Sequence, residues 1–140
     1  MASIESFGPA WLSLVESSIK ELVEANATPD FEFSFCEIFT DAAPSAVGCQ
    51  AGTAGYHYRI AHRGVVVSPG LAKDVDVTVT VDYTAALPES RTIYTPELMA
   101  SRQRGESPAF KHEITGDFGK MPPWLRGIHN IMAERLLSMK

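Results

Sequence analysis

Two polar side chains occupy positions where strand alternation calls for apolar ones. Over Phe31–Phe39, a period of two puts Glu37 on the same face as Phe31, Phe33, Phe35 and Phe39. A carboxylate buried among phenylalanines titrates upward and suits general acid or base work. A β-bulge, or a strand ending near Cys36, leaves Glu37 wet instead, and both readings stay open. His112 is the second such residue. It alternates in phase with Phe110 and Ile114, opposite Lys111, Glu113, Thr115 and Asp117. A neutral imidazole in an apolar wall can hold a polar ligand group or shuttle a proton, or simply bond a backbone carbonyl. If Glu37 and His112 converge on one ligand, isomerisation, elimination or hydration of an apolar substrate is within their reach, with no cofactor.

The remaining reactive residue types form no pattern. His57 and His62 fall on opposite faces of a straight strand, with His62 in a turn, and His129 falls at the edge of the last helix. No metal site is expected from them. Cys36 and Cys49 make no C-x-x-C pair and have no histidine at zinc-ligand spacing; reduced thiols are the expectation, a disulfide the lesser alternative. No nucleophile elbow, P-loop or dinucleotide fingerprint is present. Arg102 and Arg104, with Lys111 further along, either hold a carboxylate or phosphate at a cavity mouth or form a solvated helix end.

The totals describe a chain of 140 residues that buries its own core, 45% hydrophobic and 21% charged. A net charge of −5 argues against nucleic acid as the main partner. No apolar run is long enough to span a bilayer, so no integral membrane association is expected. The N-terminus lacks the charge and apolar pattern of a secretory leader, and Ser138-Met139-Lys140 is not a peroxisomal address. Cytoplasm is the expected location.

The elements that must carry these residues read as one domain. Trp11, Leu14, Val15, Ser18, Leu22 and Val23 recur at helical spacing over 9–26, with Pro9 in the first turn. A strand over Phe31–Phe39 follows, then an Ala-, Gly- and Pro-rich loop over Asp41–Gly55. Tyr56–Ala61 and Val65–Ser68 make a hairpin closed by His62-Arg63-Gly64. Val75–Asp82 alternates valine with Asp and Thr, as a half-buried antiparallel strand does. Weak helical character covers 83–87, and a second helix covers 96–104, capped by Thr95. Phe110–Thr115 is a further strand, and one long helix follows Pro122-Pro123, with Trp124, Leu125, Ile128, Ile131, Met132, Leu136 and Met139 on its apolar face. The order is helix, meander of strands, helix.

Two stretches carry a resemblance. D-V-D-V-T-V-T-V-D-Y (Asp74–Tyr83) and F-K-H-E-I-T-G-D-F-G-K-M (Phe110–Met121) resemble the sterol carrier protein type two family, and the hairpin at Tyr56–Val67 falls where that family has one. The resemblance implies an α+β fold: an antiparallel sheet of about five strands, N- and C-terminal amphipathic helices over one face, and an apolar cavity between the layers. It also implies binding or shuttling of a hydrophobic small molecule such as a lipid, sterol or acyl derivative. The residues expected around that cavity are Phe33, Phe35, Met99, Phe110, Ile114, Phe118, Met121, Trp124, Ile128 and Met132, with Arg102 at its mouth. For any one of the apolar residues, ordinary core is the preferred reading. Beside the binding module stand two other readings: the acid–base enzyme built on Glu37 and His112, and an interaction domain forming a homo-oligomer through its last helix.

Overall fold

The computed structural model describes residues 4–138. Helix α1 (Pro9–Asn26) starts at a proline whose missing N–H is no loss in a first turn, and buries Trp11, Leu12, Val15, Ile19 and Val23. Strands β1 (Phe33–Thr40), β2 (Ala54–Ala61), β3 (Gly64–Pro69), β4 (Val77–Asp82) and β5 (Glu113–Gly116) form one sheet in the order β3-β2-β1-β4-β5. The α+β architecture and the five strands agree with the sequence reading.

The strand path corrects it in one respect. Three pairings are antiparallel, but β1 and β4 are parallel, so the strands are not a simple meander. The reason is geometric. β3 ends beside the start of β2, so the chain must recross the sheet before β4 begins opposite Phe35. The crossing segment, 70–76, covers the back of β1, where Cys36 is fully buried. Both cysteines are free thiols.

Local chemistry accounts for the joints. His62 and Arg63 both adopt left-handed φ, 51° and 60°, as a two-residue hairpin turn requires, and Arg63 donates to the Glu24 carbonyl at 2.8 Å. Helix α2 (Tyr83–Glu89) follows β4 directly, its N-cap Asp82 accepting from the Ala85 N–H. Helix α3 (Pro96–Gln103) is capped by Thr95 as its sequence predicts. β5 starts three residues later than expected, at Glu113 opposite Thr80; only Phe110 falls beyond the end of β4, where α2 begins, and Lys111 and His112 stay unpaired beside Asp82 and Val81. Gly116 ends it at φ 90°, and a Cβ there would overlap the Asp76 carbonyl.

The long closing helix is broken. After a 3-10 turn at Phe118–Lys120, the chain forms α4 (Pro123–Arg126), then α5 (Ile128–Ser138), with Gly127 between them. Arg126 is occupied in holding the Met121 and Phe118 carbonyls. The apolar stripe of this region turns inward: Leu125, Met132 and Leu136 are buried, and Arg135 of α5 grips Glu21 and Ser18 of α1. Met139 lies outside the described residues.

Candidate functional site

Between the sheet and the helices lies an open cavity of about 300 Å³. Its floor is the face of β1 and β2 bearing Phe35, Glu37, Tyr56 and Tyr58, extended by Val79 and Val81 of β4. α1 supplies Trp11, Val15 and Ile19, and Phe7 lies beside them. The far wall comes from α5, through Ile128, His129 and Met132, and from Met121 and Arg126. Ala86, Glu89, Ser90 and Tyr94 close one end, while Phe110, His112, Ile114 and Phe118 form a rim.

Glu37 sits on the phenylalanine face, as alternation along β1 requires. Its Cα partner across the β1–β2 pair is Tyr56, whose hydroxyl donates to Glu37 Oε1 at 2.8 Å. Burial pushes the Glu37 carboxyl up to about 7, and the Tyr56 bond pulls the other way. Burial also raises both tyrosines, with the nearby Glu37 charge adding to the effect. The Tyr58 hydroxyl is buried with no hydrogen-bond partner, and so is the Trp11 indole N–H. Tyr58 stacks on Phe35 with ring centroids 5.1 Å apart, which holds it in the floor.

At the closed end the polar groups are already paired. Arg102 forms two 2.9 Å bonds to the Glu89 carboxylate, which also accepts from the Tyr94 hydroxyl at 2.7 Å. Burial works to raise Glu89, but Arg102 and Tyr94 hold it below the usual carboxylate range. Tyr94 stacks on His129 at 3.9 Å, and His129 Nε2 donates to the Thr92 carbonyl at 2.8 Å. Burial lowers the imidazole. The rim strap is tied down by Asp76, which accepts from the Ser34 N–H at 2.9 Å and from Lys120 at 3.1 Å.

Of the residues expected around a cavity, Phe35, Phe110, Ile114, Phe118, Met121, Ile128 and Met132 line this one, and so do Glu37 and His112. Four do not. Phe33 is 2% exposed and packed between Phe31 and Tyr58. Trp124 turns to Phe31, 5.3 Å between ring centroids. Met99 points outward on α3, 44% exposed. Arg102 is consumed by Glu89 and does not line the cavity, and Arg104 pairs with Glu106 in solvent. The wall residues not anticipated include Trp11, Tyr56, Tyr58, Tyr94, Arg126 and His129. Among the described residues there is no cluster of three metal-ligating side chains, and no helix is long and apolar enough to cross a membrane.

No protein-family model matches the chain, and no curated protein matches it either. Solved structures do. The crystal structure of a sterol carrier protein 2 superposes with a TM-score of 0.52 at 15% identity, over 97% of this chain and 100% of that one. The solution structure of a conserved hypothetical protein from Thermus thermophilus, described as possibly a sterol carrier protein, gives 0.51 at 17% identity, over 95% and 92%. The chain therefore has the sterol carrier protein fold.

Proposed function

We propose that this chain, sharing its fold with the sterol carrier proteins, binds one hydrophobic small molecule in the cavity between sheet and helices. The observation that carries the reading is the cavity itself: about 300 Å³, framed mainly by aromatic and aliphatic side chains. That size stands at the lower end of the roughly 300–1,000 Å³ typical of small-molecule sites. It suits a single acyl chain or a compact ring system better than a two-chain lipid. The relatives' names, with sterol carrier protein 2 among them, point to the same ligand class. Native mass spectrometry of the purified protein, with extraction into organic solvent, tests the reading directly. Co-purified apolar ligand and enhanced fluorescence of the uncharged dye diphenylhexatriene are the expected results. Protein that carries nothing and leaves the dye dark sinks it.

A second reading has its own support. Glu37 and His112 line the same cavity, as an acid–base pair acting on an apolar substrate needs. Its signature is proton exchange at an activated carbon of a bound ketone, followed by deuterium incorporation. Exchange that is unaltered in Glu37→Gln removes this reading.

A further inference from the structure

We infer that Glu37, Tyr56 and Tyr58 form a head-group subsite in the cavity floor, which accepts an uncharged oxygen group and turns away an ionised carboxylate. The inference rests on the binding role proposed above and specifies the polar end of the ligand.

The geometry starts from the β1–β2 pair. Tyr56 spends its hydroxyl proton on Glu37 Oε1. Among the described residues, Glu37 Oε2 has no hydrogen-bond partner and neither has the buried Tyr58 hydroxyl, on the same strand face two residues from Tyr56. Val79 and Val81 of β4 with Val15 and Ile19 of α1 offer only hydrocarbon, and Trp11 of α1, its ring 5.3 Å from that of Tyr56, adds one unpartnered indole N–H. Buried polar groups are nearly always bonded, so the unpartnered Tyr58 hydroxyl, on the same floor as a carboxyl oxygen of Glu37 that Tyr56 leaves open, marks a place for a ligand atom. In the proposed subsite a ligand hydroxyl would accept from Tyr58 and donate to Glu37.

Charge then sets the selection. Glu37 titrates near 7, so above neutrality the floor is anionic, and a second carboxylate beside it is repelled. A hydroxyl is satisfied by either form of Glu37. The other ionisable groups facing the cavity are engaged elsewhere or set at its edge. Glu89 is paired with Arg102, and Tyr94 with Glu89. His129 bonds Thr92. Arg126 holds the Phe118 and Met121 carbonyls, and His112 stands on the rim.

The test is displacement of diphenylhexatriene from the full chain by hexadecanol and by hexadecanoic acid, between about pH 6 and about pH 8. The alcohol should hold its affinity across the range, while the acid weakens by about tenfold. In Glu37→Gln the acid should lose that decline, and in Tyr58→Phe the alcohol should weaken by about fivefold relative to the dye, measured in the same variant. An acid that binds as tightly as the alcohol near pH 8, for instance with its carboxylate at Arg126, overturns the inference alone. So does a decline of equal size in Glu37→Gln. A dye that never binds overturns the cavity's binding role, and the subsite with it.

Discussion

Tyr56 and Glu37 face each other across the β1–β2 pair, and the phenol donates to the carboxylate at 2.8 Å. The bond favours the charged form of Glu37 while burial opposes it, and burial prevails. Replacing Tyr56 with Phe removes the opposing contribution and leaves burial in place. Glu37 in Tyr56→Phe should therefore titrate still higher than about 7, as followed by the carboxyl carbon shift in NMR. A downward movement would show that something other than desolvation governs this group.

Glu37 also makes the fold pH-dependent in an unusual direction for a carboxylate. Its folded value of about 7 lies above the ordinary 4.5, so the folded state holds the proton more tightly than the unfolded chain. The stability it contributes is fully present below 4.5 and is lost as pH rises through about 7. The full span corresponds to something of the order of 3 kcal/mol. Buried His129, held low, changes in the opposite sense over part of this range, so the wild type is compared with Glu37→Gln in denaturant titrations: the stability of the wild type relative to the variant should fall between these limits. A difference that stays level or rises contradicts the burial of Glu37.

The Glu89–Arg102 pair has the opposite sign. Glu89 is held below its usual range, so its contribution is present above the unfolded pKa and fades as pH falls through the folded one. Their side chains are only 14% and 15% exposed, which leaves Glu89 poorly hydrated if Arg102 is removed. Arg102→Ala should cost about 1–3 kcal/mol at neutral pH and less in acid, by urea unfolding at the two pH values. An equal cost at both would assign the loss to packing alone.

Val79 faces the cavity from β4 and is only partly buried, so a larger side chain there has empty space to enter. Val79→Phe should change stability by about 1 kcal/mol or less while weakening diphenylhexatriene binding by about tenfold. Unchanged dye affinity would mean that the dye resides somewhere other than this cavity.

Gly116 is fixed by two requirements at once: a left-handed φ of 90° and contact with the Asp76 carbonyl that leaves no room for a Cβ. Gly116→Ala should destabilise the protein by about 2–4 kcal/mol and raise hydrogen exchange across β5 and the Phe118–Lys120 turn. Normal protection there would show that β5 yields without cost.

What the sequence disclosed follows the reach of each signal. The α1 stripe, the alternation of Val77, Val79 and Val81, and the Thr95 cap are local patterns, and each element formed, although β4 starts two residues later than its alternation predicts and α1 buries Leu12 and Ile19 rather than Leu14 and Leu22. Glu37 was legible for the same reason, as a charged residue in phase with phenylalanines. Local alternation says nothing about which strand lies alongside, so the parallel β1–β4 contact was hidden. Tyr56 and Tyr58 were readable in principle: they alternate with Ala54 and Ile60 on a core face, and repeated hydroxyls there are as odd as Glu37. The contact of His129 with Tyr94 was not legible, because that stacking partner comes from a connection with no periodic signal.

The recrossing of segment 70–76 divides the cavity by order along the chain. Glu37, Tyr56 and Tyr58 come together on neighbouring strands from one stretch of sequence, whereas Val79, Ile114, Met121 and Met132 all arrive after the recrossing. The Glu37–Tyr56 pair is thus written before the recrossing, whereas the apolar wall is shared between α1, which precedes it, and the elements that follow. Under the proposed binding role, substitutions in the later elements would alter the room for a guest without touching that polar pair.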